Sequence, residues 1–455
     1  MNTRTILAAA AAAGIALAAC TKAPPPPPPT PNVALTDSAS AALHWVTNHV
    51  LALSATDSVE SAQDRASAAA IAGDARIIGV SELTEGTHEF PILIRRLLFA
   101  LADTAGVKGL AIQASMPEAM DLDRFVRNGV GDPRRLLRTL GSSQWETQEM
   151  LGLVNAMRGW NQSHPDKQVG FYGFEIPTAA HAVRTITTLP DSEMGASLNA
   201  WLRRSYTCVA QDEAAHWGLE GRASDSTFWN RCRGITAAAL DSVTNRLHAV
   251  RSGSRAAADL AFAEEMADLV KHHVEIGLRH MPRHEGVAAH TMYLASRLGS
   301  DAKLLVWGGD VEIGRINLQE KVPQMGLALG QQLGERYRAI GFAIGNGRIR
   351  ARQPSFNRQT GESQQGRYSD LDVQQPRPGT YEEVLARAGS PAYFLDVRKL
   401  PSDTAGAWLH GPRPIRLISD IYVPQLAESF ETPIELPKDY DAILVVQTVT
   451  PARGL

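Results

Sequence analysis

Four acidic residues stand where short apolar runs end. Glu82 and Glu85 lie in Ser81-Glu82-Leu83-Thr84-Glu85-Gly86-Thr87-His88-Glu89-Phe90, after the run Arg76 to Val80, and Asp310 and Glu312 lie in Gly308-Gly309-Asp310-Val311-Glu312, after Lys303 to Trp307. Brought together, such carboxylates raise one another's pKa, bind a divalent cation, or divide into a general acid and a general base. Taken singly, each is equally a solvated loop acid or a helix N-cap. Two histidines come into question beside them. His88 follows Glu85 within the same segment, one helical turn on if a helix has begun there, and His290 follows Arg283 by two turns. The adjacent His272 and His273 fall on a helical pattern and read as partly exposed.

Which elements would position these groups follows from hydrophobic spacing. Short β-like runs recur at Arg76 to Val80, Gly109 to Ala114, Val169 to Gly173, Lys303 to Trp307, Tyr337 to Ile344, Tyr393 to Leu395, Leu417 to Tyr422 and Ala442 to Val446. Between the early ones, Phe90, Leu93, Ile94, Leu97, Leu98 and Leu101 share one helical face, and Met150, Leu153, Val154, Met157 and Trp160 another. Strands alternating with helices predict an α/β fold: a mostly parallel central sheet flanked by helices on both faces. In open sheets of that kind ligands collect beyond the carboxyl ends of the strands, where the four acids, Gln113 and Glu175 would stand. From about 190 to 280 the strand signal vanishes and long amphipathic patterns (Met194, Leu198, Trp201; Phe262, Met266, Leu269, Val270) predict a helical insertion. Arg348 to Thr380, polar and rich in Gln, Arg, Gly and Pro, reads as a long surface loop.

The beginning of the chain carries an address. Arg4 precedes a run from Ile6 to Ala19 without any charge, the layout of a secretory signal, and the run is too short to span a bilayer comfortably. It ends in Leu17-Ala18-Ala19-Cys20, similar to a lipoprotein processing site, so residues 1–19 read as a signal peptide and Cys20 as the lipidated first residue of the mature form. Pro24 to Pro29 make residues 20–34 a stiff polyproline tether, and 35–455 the folded domain. By analogy with such lipoproteins, the Thr21-Lys22 pair favours the outer membrane, giving a periplasmic protein anchored by lipid. Cys208 and Cys232 remain, read as one disulfide in an oxidising compartment, with two buried free thiols as the alternative.

Charge narrows the partners. The chain has 45 Lys+Arg against 48 Asp+Glu, and loss of Arg4 with the signal leaves 44 against 48. This near balance without a basic block argues against nucleic acid and leaves a small molecule, with the membrane met through the anchor.

Taken in order, these segments resemble the erythromycin esterase family over roughly residues 70 to 455. The family carries Gly-Glu-Ala-Thr-His-Gly-Thr-x-Glu-Phe after its first strand, where this chain has Ser81 to Phe90. Its second strand ends Ile-Glu-Ala, here Ile112-Gln113-Ala114, followed by Pro117. Trp145-Glu146-Thr147-Gln148-Glu149 and Trp160-Asn161 are similar to the family's next stretch, Arg283 to an arginine preceding a helix, and Trp307-Gly308-Gly309-Asp310-Val311-Glu312 to Trp-Gly-His-Asn-x-His. Tyr381-Glu382-Glu383, Leu395-Asp396-Val397-Arg398, Arg413-Pro414-Ile415-Arg416 and Tyr440-Asp441-Ala442-Ile443 extend the agreement.

What the resemblance implies is hydrolysis of a macrolide lactone, with a histidine as general base on water, assisted by a glutamate, further histidines and an arginine. Glu82 and Arg283 are retained. Glu85 takes the place of the base histidine, Gln113 that of the assisting glutamate, and Gly309 and Glu312 those of the two later histidines. An exposed carboxylate near pKa 4.3 is a poor base at neutral pH, so hydrolysis here requires Glu85 to be raised by burial or by Glu82, Asp310 and Glu312, or His88 or His290 to supply the imidazole. Three readings stay open: a hydrolase of esters or lactones with altered chemistry, needing no cofactor unless a divalent cation sits in the acidic cluster; a non-catalytic binding homologue; and an envelope-associated structural lipoprotein.

Overall fold

A computed structural model describes residues 34–54, 56, 60–175, 180–187, 200, 241–242, 245, 257–278, 282–316, 324–356, 363–364 and 366–455. The expected signal, Cys20, the tether's proline run, Cys208, Cys232 and most of the insertion lie outside these residues.

Valine, isoleucine, leucine and aromatic runs form a nine-stranded sheet. Its strands are β1 (Leu51–Ala52), β2 (Ile77–Glu82), β3 (Val107–Ser115), β4 (Gly170–Glu175), β5 (Lys303–Gly309), β6 (Tyr337–Arg352), β7 (Tyr368–Val373), β8 (Ala392–Asp396) and β9 (Ala442–Val449). They lie in the order β1-β8-β9-β6-β2-β5-β3-β4, with β7 against the far part of β6. From β9 to β4 every pairing is parallel; β1, β8 and β7 add antiparallel edges. The parallel strands are apolar on both sides because both sides are covered. In β5, Leu304 and Val306 join the core under helices Asp37–His49, Ala257–Leu278 and Arg283–Arg297. Leu305 and Trp307 join the opposite core under Ala62–Ala72, Glu89–Thr104 and Gln148–Ser163. The two faces that the helical patterns 90–101 and 150–160 announced are the buried faces of Glu89–Thr104 and Gln148–Ser163.

Connection order opens the crevice. From β2 the chain crosses through Glu89–Thr104 to β3, beyond β5; from β5 it crosses through Met325–Leu333 to β6, on the other side of β2. Adjacent strands β2 and β5 therefore send their chains in opposite directions, which leaves a gap at their carboxyl ends.

Two expectations fail. Arg348 to Thr380 is not a loop throughout: β6 continues to Arg352 and pairs with β7. The signal was an alternation in which Ile349 and Ala351 are buried between outward Arg348, Arg350 and Arg352, and the polar composition hid it. Leu417 to Tyr422 is not a strand; the strand there is Arg413–Arg416, paired with Glu431–Ile434, and Ile421 makes only a bridge to Arg352. Within the expected insertion, Ala257–Leu278 is a helix that buries Phe262, Met266, Leu269 and Val270.

Candidate active site

Glu82 ends β2 and pairs in register with Gly309 at the end of β5. Its carboxyl is buried, and Trp307 Nε1 donates to Oε2 at 2.7 Å. Burial pushes this carboxyl well above its ordinary range, and the nearby charges of Glu85 and Asp310 push further, against the Trp307 hydrogen bond. Its neutral form is thus favoured more strongly than that of an exposed glutamate.

Glu85 is the partly exposed acid of the group. Gln144, with its amide oxygen accepting from Trp145 Nε1 at 3.1 Å, donates to both Glu85 oxygens at 2.5 and 2.8 Å. The loop that carries Glu85 is fixed by its neighbour Gly86, whose carbonyl accepts from Arg350 N and Ala452 N, each at 2.9 Å. Any Cβ at Gly86 would come 1.8 Å from the Arg350 carbonyl oxygen, so only glycine fits this close backbone approach.

Asp310 opens the short helix Asp310–Ile313 directly after β5. Its Oδ1 accepts from the Ser81 hydroxyl, and from Tyr440 at 3.2 Å, while Oδ2 has no hydrogen-bond partner among the described residues. Enclosure lifts this carboxyl to about 7; the Ser81 and Tyr440 hydrogen bonds oppose the rise and the charge of Glu382 adds to it.

From Gly309 a polar chain crosses the tops of β3 and β4. A register shift in β3 between Ile112 and Ser115 accompanies the placing of Gln113, whose Oε1 accepts from Gly309 N at 2.9 Å. Gln113 Nε2 donates to Glu175 Oε1 at 3.2 Å, and Arg283 donates to the same oxygen at 2.5 Å. The other arm of Arg283 bonds Glu312. Burial opposes the charge of Arg283, but Glu312 and Glu175 hold it protonated. Burial likewise raises the Glu312 carboxyl, Arg283 pulls it back and Glu175 adds to the rise. Arg283 and Glu175 keep 28% and 27% of their side chains exposed against 7% for Glu312, so the guanidinium and the Glu175 carboxylate are the parts of this link that solvent or a ligand reaches.

Ser81, Glu82, Gln113, Arg283, Asp310 and Glu312 are thus joined through neighbouring residues and hydrogen bonds at the ends of adjacent strands, with Glu85 beside Glu82. The two candidate imidazoles sit elsewhere in the network of contacts. His88 Nδ1 bonds Glu149 Oε1 at 2.8 Å, and the ring lines a hollow shared with the C-terminal segment. His290 is buried edge-on against His272, ring centres 4.8 Å apart, and His272 stacks on Tyr293 at 4.2 Å.

Sequence reasoning passed over Tyr440, and His181 beyond β4. His181 Nε2 lies 3.0 Å from Asp121 and its Nδ1 3.9 Å from Glu118; the Asp121 hydrogen bond raises its pKa. Ser115 bonds Glu118 and is the register partner of Glu175, which brings an imidazole to the edge of the crevice. Its position six residues past a strand end was the available signal. Among the described residues no group of three or more His, Cys, Asp or Glu is arranged to hold a metal ion.

A mostly parallel α/β sheet with carboxyl groups gathered where adjacent strands β2 and β5 end defines the class. The model of the erythromycin esterase family matches residues 103–449, and the chain belongs to that family. A Bacillus cereus protein of solved structure superposes with a TM-score of 0.71 at 19% identity, over 92% of this chain and 99% of that one. A protein described as a succinoglycan biosynthesis protein gives 0.70 at 15%, over 92% and 100%. A mutant of the erythromycin esterase EreC in its open conformation gives 0.51 at 13%, over 85% and 94%. At these identities the likeness is one of fold.

Proposed function

We propose that the chain is a hydrolase of ester or lactone substrates, macrolide-like in class, in which carboxylates perform the task that imidazoles perform in its family. The observations that support the reading are the closeness of Glu82 to the charges of Glu85 and Asp310 at the end of β2, and the hydrogen-bonded link that runs from Gly309, the register partner of Glu82, through Gln113 and Glu175 to Arg283. Glu85, the acid among them nearest solvent, takes a proton from water as the water oxygen bonds to the ester carbonyl carbon. The carbonyl π pair moves to oxygen, and Arg283 stabilises the resulting oxyanion. When the tetrahedral centre collapses, the ester C–O bond breaks and neutral Glu82 protonates the leaving alkoxide, as a buried carboxylic acid kept protonated can do. The proton gained at Glu85 then restores Glu82 through solvent, and no cofactor enters the balance.

A second reading, a ligand-binding homologue without turnover, draws on Glu85, Gln113, Gly309 and Glu312 standing where the family pattern has three histidines and a glutamate. The protein from residue 20 onward, incubated with macrolides and aryl esters with and without divalent ions, separates the two. Products that have gained one water, by mass spectrometry, support the hydrolase. Ligand binding without product supports the second reading and overturns the first. Dependence on a divalent ion would place the acidic cluster itself at the chemistry, with the ion supplying Lewis acidity.

The anchor forms the other half of the proposal: a diacyl-modified Cys20 holding the domain in the periplasm at the outer membrane. Cys20→Ser should shift the protein from the membrane fraction to the soluble one; unchanged fractionation would refute the anchor.

A further inference from the structure

Away from the strand crevice, the C-terminal segment closes one side of an open hollow of about 640 Å³, lined by His88, Arg350, Asp370 and residues 450–454. We infer that this hollow binds a small organic oxyanion, a phosphorylated or carboxylated metabolite-sized ligand, through Arg350 and Arg453.

Of the two guanidiniums, that of Arg350 is presented differently from an ordinary surface arginine. Arg350 lies over the Tyr368 ring, 4.8 Å from its centre, and also lies near Gly454, where a Cβ would come within 3.3 Å of the guanidinium. These two contacts restrict the rotamers of the fork, which leaves less freedom to lose on binding. No acid of the described residues forms an ion pair with Arg350 or Arg453, whereas neighbouring Arg348 and Arg352 pair with Asp372 and Asp420. Among the described residues, Asp370, the cross-strand partner of Arg350, is the one carboxylate lining the space, and the buried Glu149 is taken up by His88 and by Arg453 N at 3.2 Å.

Of the main-chain donors in this segment, Thr450 N bonds Glu89, Ala452 N bonds Gly86 and Arg453 N bonds Glu149. Recognition falls on two clustered guanidiniums, whose planar forks suit carboxylate and phosphate oxygens. The volume lies in the range of small-molecule sites, roughly 300–1,000 Å³, and exceeds what a bare ion fills. This inference is independent of the proposed hydrolysis.

Calorimetric titration of the full chain with inorganic phosphate and with citrate, at ionic strength held constant with sodium chloride, tests it. Saturable binding of either probe is expected, weakened at least ~10-fold by Arg350→Gln and by Arg453→Gln, in line with the loss of one charge-assisted pair, and unchanged by Arg348→Gln. Preference for phosphate or for citrate assigns the ligand's anionic group. Absence of binding by both probes, or equal binding by the Arg350→Gln/Arg453→Gln double variant with unchanged circular dichroism, overturns the inference. Arg453 is exposed at the edge of the fold, so its single variant keeps the test valid if Arg350→Gln fails to fold.

Discussion

Replacing Asp310 by asparagine keeps the acceptor that Ser81 and Tyr440 use and removes the charge that the enclosure resists. The carboxyl stands at about 7 in the fold against 3.8 in an exposed chain, a difference worth about 4 kcal/mol at most. A raised carboxyl binds its proton more tightly folded than unfolded, so its contribution is fully present below the unfolded value and is lost as pH climbs to the folded one. Wild type should therefore lose stability relative to Asp310→Asn between about pH 4 and pH 7, by a few kcal/mol, and the gap should flatten above 7. Urea melts followed by tryptophan fluorescence at one-unit steps from pH 4 to 8 would read this difference directly. A gap independent of pH, or one in which wild type gains on the variant as pH rises, would refute the burial argument, because it would mean an ionised, well-paired Asp310.

Further expectations follow from individual contacts. Arg283→Met removes the cation from between Glu175 and the buried Glu312; a loss of about 3 kcal/mol is expected in urea melts near neutral pH, shrinking in acid as Glu312 takes up a proton. Trp307→Phe removes the hydrogen bond to Glu82 and should cost about 1–3 kcal/mol in the same assay, with Glu82 titrating still higher. Gly86→Ala forces the Glu85 loop off the Arg350 backbone, and a drop of at least about 2 kcal/mol, read by thermal melting, should accompany loss of any turnover.

How far the sequence carried these conclusions depended on the kind of signal. Leu304 to Trp307 is apolar at every position because β5 is covered on both faces, and that pattern is local, so the parallel core was readable. The position of Glu82 and Asp310 after such runs placed them at strand ends, and the sheet order then made β2 and β5 neighbours. Arg348 to Arg352 defeated the reading because its inward residues are only Ile349 and Ala351, and three arginines outweigh them in composition. The link from Gln113 through Glu175 to Arg283 spans residues 108 apart at its last step, and no local pattern announces such a meeting. The Glu149 that captures His88, and the C-terminal residues that wall its hollow, were hidden for the same reason. A histidine beside an acidic motif suggests a base until its partners are known.

The role of Glu85 as general base is read from kcat/KM of the wild type and of Glu85→Gln on one hydrolysable aryl ester or macrolide, with thermal melting of both proteins alongside. The account predicts a fall of roughly 10²–10⁴ for the variant, the usual contribution of a general base, at a melting temperature close to wild type. Equal kcat/KM in the two proteins would contradict it.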